Sequence, residues 1–136
     1  MTEPSLALQI AIRERLISTP EITADVPADR VVDSGTRPEN FPTIVIGGGQ
    51  TILEGFSGSV RSVRVFCDLH VWTLEAGLEV AKGIAGNVAD ALVEPPAIDG
   101  FHLAYFRVIS TRYMRDPSEK HGHAVVTVEA IMEQVL

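Results

Sequence analysis

Apolar residues between Leu6 and Ile17 recur at helical spacing. Leu6, Ile10, Arg13 and Ile17 fall on one stripe, and Leu8, Ile12 and Leu16 fall on its neighbour. A 3.6-residue period with so wide an apolar face predicts a helix over residues 5–18. Pro20 ends it, because proline disfavours helix at the residue before it. Residues 19–40 are mostly polar, carry Pro20, Pro27 and Pro38, and offer only Arg30-Val31-Val32 as a short strand. Phe41 to Ile46 reads as a strand entered through Pro42, a placement that spares the ladder a missing donor. Gly47-Gly48-Gly49 is expected to break that strand, leaving residues 47–59 as a glycine-rich loop.

The clearest β pattern runs from Val60 to Thr73. Val63, Val65, Cys67, Leu69 and Val71 alternate with Arg64, Phe66, Asp68, His70 and Trp72. Period two over this length predicts a sheet with one buried and one partly wet face. Leu74 to Val93 reads as a second helix with Val80, Ala81, Ile84, Ala85, Val88 and Leu92 on its apolar side, closed by Pro95-Pro96. Phe101 to Tyr113 is a strand with Leu103, Tyr105, Arg107 and Ile109 opposite Ala104, Phe106 and Val108. Asp116-Pro117-Ser118 marks a turn, and Ala124 to Met132 alternates again. The fold class expected is α+β: a mainly antiparallel sheet with two helices packed on one face, in the order α-β-β-α-β-β.

Composition narrows the function. With 136 residues the chain has the length of one domain, and 46% apolar residues are enough for a core. No apolar run approaches the ~20 residues that span a bilayer, and Met-Thr-Glu-Pro lacks the basic-then-apolar start of a signal peptide. The protein is therefore expected in the cytoplasm that makes it, with no membrane partner. A formal charge of −7 argues against a dedicated nucleic-acid binder, whose affinity comes from Lys and Arg on phosphates. The single cysteine, Cys67, permits no internal disulfide and reads as a small core residue.

Candidate chemistry is sparse. His121-Gly122-His123, with Asp116 or Glu119 as a third ligand, is a possible metal site, and a hairpin end is the simpler reading. Gly47-Gly48-Gly49 has no Lys-Ser/Thr after it and opens no helix, so it does not read as a phosphate loop. Ser57 and Ser59 lie in the glycine-rich stretch without a nucleophile elbow, and His70 beside Trp72 reads as a packed or interface histidine. No catalytic residue, metal ligand or cofactor-binding residue is assigned, and no cofactor is called for. Two segments have interface chemistry. Ile52, Leu53 and Phe56 put large apolar side chains in a loop with one charge, Glu54. Arg112, Tyr113, Arg115, Asp116 and Lys120 combine the residue types enriched at contacts.

The order of these features resembles a known family. They are the Leu6–Ile17 helix, Arg30-Val31, Phe41-Pro42 with Thr43-Ile44-Val45-Ile46-Gly47, and the strand end Leu69-His70-Val71-Trp72. Ala81-Lys82-Gly83-Ile84-Ala85, Arg112-Tyr113-Met114-Arg115-Asp116-Pro117 and His121-Gly122 follow. The chain is similar, from about Leu6 to Met132, to proteins encoded beside tail genes in siphophages, prophages and gene transfer agents, assigned as tail terminators or tail-completion proteins. The resemblance implies an α+β subunit of a ring, expected to be a hexamer, at the head-proximal end of the tail tube. It implies as partners further copies of itself, the tail tube protein and a neck stopper or connector, with DNA passing through the lumen without specific binding, and incorporation into the particle at the tail–neck junction. It carries no catalytic residues. The alternatives from other classes are a neighbouring connector or stopper of the neck, a small metal-dependent enzyme using His121, His123 and Asp116, and a small-molecule binding module.

Overall fold

The computed structural model describes residues 3–33, 35 and 37–136; the reading of the first four residues rests partly on Met1 and Thr2, which lie outside them. Helix α1 spans Pro4–Ile17. The Glu3 carboxylate accepts the Leu6 N–H at 2.9 Å and Pro4 opens the first turn, where its missing donor costs nothing. Only one of the two apolar stripes is buried: Leu8, Ile12 and Leu16, with Ala7 and Ala11, face the core, while Leu6 and Ile10 are 47% and 48% exposed. A short helix, α2 (Pro20–Thr23), and a 3-10 turn (Ala28–Arg30) fill the polar stretch and set Ile22 and Val26 into the core. The two-residue strand β1 (Val31–Val32) follows.

Four long strands build the sheet: β2 (Thr43–Ser57), β3 (Val60–Leu74), β4 (His102–Arg115) and β5 (His121–Val135). Helix α3 (Glu79–Ala91) lies between β3 and β4 in the chain. The long elements thus follow the expected α-β-β-α-β-β order, and β1, α2 and the 3-10 turn add to it. The strand order is β1-β2-β3-β5-β4. The sheet is mixed, because β1 runs parallel to β2 while every other pair is antiparallel. Two hairpins, β2–β3 and β4–β5, meet along β3 and β5, which pair over their full length from Val60↔Val135 to Leu74↔His121.

Both long helices cover one face. Leu8, Ile12 and Leu16 of α1 and Ile84, Ala85 and Val88 of α3 join Val65, Leu69 and Val71 of β3 and Val126, Val128 and Met132 of β5 in one cluster. Each fully buried aliphatic side chain contributes about 1.5–3 kcal/mol. Cys67 belongs to this cluster, and burial, helped by Asp68, pushes its thiol pKa up to about 12, which keeps it inert. Arg15 ties the helices together: its guanidinium donates to the Ala91 and Glu94 carbonyls at 2.8 and 2.7 Å, satisfying acceptors at the end of α3. No helix among the described residues is long and apolar enough to cross a membrane.

Three expectations are corrected. The glycines do not end β2. They form a bulge between Ile46↔Leu69 and Gly49↔Cys67, after which β2 runs on beside β3 to Ser57. Residues 47–59 are therefore mostly strand, because an extra residue bends a strand without ending its pairing. Helix α3 starts at Glu79, not Leu74. Glu75 folds back over its first turn, and its carboxylate accepts the Val80 and Ala81 N–H groups at 3.1 and 2.9 Å. Partial burial works against that charge, but the Thr73 hydroxyl and these N–H groups outweigh it and hold the carboxyl below its usual pKa. In β4, bulges between Leu103 and Tyr105 and between Val108 and Ser110 switch the faces. Leu103, Phe106 and Val108 consequently pack together on the core, where strict alternation had put Leu103 opposite the other two.

Candidate assembly surfaces

The sheet face away from the helices carries β3 and β5 side chains that hold one another. Arg64 bridges Glu54 of β2 and Glu129 of β5, the latter at 2.6 Å. The Thr127 hydroxyl donates to Asp68 at 2.6 Å. At the far end, the β3–β5 register sets His123 against Trp72. Their rings stack 3.8 Å apart at 11°, and His123 Nε2 lies 2.9 Å from His70 Nδ1. One ring donates an N–H there and the other accepts it, so the pair excludes two simultaneous charges. Burial, then the nearby His70 and Arg112, press the His123 pKa down to about 4, although Asp116 opposes them. Burial lowers His70 as well. A cleft of about 560 Å³ opens beside this pair, lined by Arg37, Gly47, Gly48, Trp72 and Asp116 among others.

A pH dependence follows. Histidine in an unfolded chain titrates near ~6.5. Because folding depresses His123, the unfolded state binds more protons between about 4 and 6.5, and stability must fall as pH falls through that window. Screening of a half-exposed ring brings the loss to about 1–2 kcal/mol. Melting temperatures from pH 7 to 4.5 should drop for the native chain and much less for His123→Gln. A flat profile in the native chain would sink the idea.

The chemistry of this surface is poor. His121 lies beside Ser118 and Asp116, at 3.2 and 3.5 Å, yet both face the same ring nitrogen, Nδ1, and Ser118 gives its hydroxyl proton to Asp116. A relay needs base and orienter on opposite nitrogens, so this trio is the end of a hairpin, with the His121 ring packed 4.8 Å from Phe41. His123 is held by His70 and Trp72 instead. Among the described residues, no three His, Cys, Asp or Glu side chains are grouped as metal ligands.

The residues singled out from sequence as contacts lie at two places. Ile52, Leu53 and Phe56 are on the distal half of β2, 39%, 57% and 61% exposed. Leu53 pairs with Val63 and, after a second bulge, Phe56 with Arg61, so both turn to the helix side. There they line a groove of about 580 Å³ with Pro4 and Val63 and with the polar Glu3, Thr51 and Arg61. Ile52 pairs with Arg64 on the open face. Arg112 and Tyr113 lie in β4, as the strand read from Phe101 to Tyr113 has them, and β4 runs on to take in Arg115; Asp116 and Lys120 are in the turn that follows. Asp116 is engaged by Arg37 at 2.9 Å, and the Tyr113 ring receives Lys82 of α3 at 5.1 Å. β3 and β5 separate the two groups, which puts them about 14 Å apart across the sheet. Along the strands, the registers of Ile52 with Arg64 and of Arg112 with His70 through Val125 add about 20 Å. Sequence reading missed the Trp72–His123–His70 stack. Its only signal was two aromatic side chains at spacing two, and their partner lies 51 residues further on.

With the fold in hand, comparison with known proteins is direct. The profile of the family described as tail completion protein gp17 matches residues 10–133. A chain from the structure of the virion of a native gene transfer agent particle is similar at TM-score 0.80 and 20% identity, over 93% of this chain and 94% of that one. The structure of bacteriophage SPP1 gp17 protein is similar at TM-score 0.63 and 25% identity, over 93% of this chain and 89% of that one. No curated protein sequence matches. The profile match takes in all five strands but the last two residues of β5: the chain belongs to the tail completion protein gp17 family, a family of structural phage tail proteins.

Proposed function

We propose that this protein is a virion component that forms a ring on the head-proximal end of the tail tube, stops tube growth and offers the neck a docking surface. The observation that carries the reading is the family match over residues 10–133, to a tail completion protein. The likeness to a chain of a gene transfer agent virion supports a place in such a particle. Ring closure needs a contact between two different patches of identical subunits. The β2 group (Ile52, Leu53, Phe56) and the β4–turn group (Arg112, Tyr113, Arg115, Asp116, Lys120) stand at opposite edges of the sheet, as such a contact requires. Six copies, a tail tube protein below and a stopper or connector above complete the proposed assembly. The net charge of −7 suits a lumen that lets DNA pass without holding it.

Negative-stain imaging of tail tubes polymerised with and without the purified protein tests this. Tubes that stop growing and carry one extra ring of density at one end are expected. Tubes of unchanged length with bare ends would overturn the terminator role and move the protein to another position in the neck.

A further inference from the structure

Nine arginines serve this acidic chain, and six of them are used internally. Arg13, Arg15 and Arg30 donate to backbone carbonyls, Arg61 to Gln134, Arg37 to Asp116 and Arg64 to Glu54 and Glu129. The remaining three, Arg107, Arg112 and Arg115, are exposed, and among the described residues their side chains form no hydrogen bond or ion pair, although Arg107 stands opposite Glu129 in the ladder. All three are on β4, the last strand of the sheet, which contains no Asp or Glu from His102 to Arg115. Among the described residues, the outer backbone edge of β4 has no strand against it.

The opposite edge has the opposite sign. It is made by β1, and Asp25, Asp29 and Asp33 stand exposed in the segment that runs into and out of that strand. Of the two arginines there, Arg30 is turned inward to the Phe41 carbonyl at 2.9 Å and Arg37 is held by Asp116 at 2.9 Å. Beyond Val45, the outer edge of β2 has no strand beside it among the described residues. Charges on a free edge often only guard it against aggregation. Guarding works with either sign and needs no counterpart across the sheet. Here the two edges differ in sign: the arginines lie within β4 itself and the carboxylates Asp99 and Asp116 only beyond its ends, Asp116 engaged by Arg37, while aspartates flank β1, which makes two copies complementary head to tail and repulsive edge to like edge. The strand directions agree as well. β2 and β4 run antiparallel to each other through β3 and β5, so β4 laid beside the β2 edge of a similarly oriented copy continues an antiparallel sheet.

We infer that the arginine-bearing β4 edge docks onto the aspartate-bearing β1–β2 edge of a second copy, and that this charge pairing sets the direction in which subunits join. Such a contact is heterologous and closes by rotation. The inference deepens the ring reading and rests on it, and the native protein on tube ends separates the failure of one from that of the other.

The test uses three full-length variants, each checked by melting temperature: Arg107→Glu with Arg112→Glu and Arg115→Glu; Asp25→Lys with Asp29→Lys and Asp33→Lys; and the six changes together. The readout is the fraction of tube ends carrying a ring. Each single-edge variant is expected to lower that fraction at least about tenfold. The six-fold variant, whose edges are again complementary, should recover most of it. In parallel, raising salt from about 0.1 to about 1 M shortens the screening length from about 10 to about 3 Å. Native ring formation should weaken several-fold with it, and this arm needs no variant to fold. Bare ends with the native protein would fail the ring reading itself. Rings from either single-edge variant, or native rings indifferent to salt, would overturn the edge contact while leaving the ring intact. So would arginine variants that keep their rings and lose only retention of a duplex DNA probe, which would assign β4 to nucleic acid.

Discussion

Replacing Gly49 by alanine is expected to cost about 3 kcal/mol or more and to lower the melting temperature by about 10 °C. A β-carbon at Gly49 would stand 2.0 Å from the backbone carbonyl oxygen of Phe66. That oxygen belongs to the central strand β3 and cannot rotate away as a side chain can. The hairpin would have to part from β3 at the bulge, freeing the half of β2 that carries Ile52, Leu53 and Phe56. Amide exchange should therefore rise first along Gln50 to Leu53. Gly48, one residue earlier, has open space around its missing β-carbon. Gly48→Ala should change stability by no more than about 0.5 kcal/mol. Equal melting points for the two variants would mean that the close approach at Gly49 does not constrain the fold.

Gly122→Ala is expected to lose about 2–3 kcal/mol, because it strikes the device that starts α3. Its β-carbon would fall 2.4 Å from the Thr73 hydroxyl, 3.1 Å from the Glu75 carboxylate and 3.1 Å from the Gly77 carbonyl. Thr73 holds Glu75, and Glu75 holds the first free N–H groups of the helix. Displacing the threonine costs the cap, worth about 1 kcal/mol, in addition to about 1–2 kcal/mol of overpacking. Glu75→Ala removes the cap alone and should cost only that first part. Thermal melts of both variants separate the two contributions. If Gly122→Ala matched Glu75→Ala, packing around the glycine would not matter.

Both predictions turn on glycines that the sequence alone presents differently. Gly47-Gly48-Gly49 reads locally as a chain break, since glycine weakens strands. The structure keeps the strand, because β3 supplies a continuous partner on which a bulge can form. Gly122 reads as part of a hairpin end next to His121 and His123, and its constraint comes from Thr73 and Glu75, some 47 residues earlier.

The strongest periodicities were legible as they stood. Val63 to Val71 alternates over one face and is buried as expected, the β5 pattern likewise, and the Leu8–Ile12–Leu16 stripe of α1 faces the sheet. Side-chain period depends on backbone geometry and solvent alone, so the chain carries it without reference to a partner. The resemblance to tail-completion proteins was legible too, through the order of short motifs, and the family match agrees.

What tertiary structure decided has a common physical origin: it depends on which strand lies beside which. The pairing of β3 with β5 set Trp72 on His123 and joined the hairpins into one sheet. The bulge between Leu103 and Tyr105, invisible to strict alternation, moved Phe106 and Val108 to the same face as Leu103. The strand order placed the aspartates around β1 and the arginines of β4 at opposite edges. Sequence by itself determined the α+β class, the order of the long elements and the family. Non-local hydrogen bonding, whose registers span up to about 75 residues between partners such as Val60 and Val135, decided the sheet order and hence the surfaces through which this subunit can meet its neighbours.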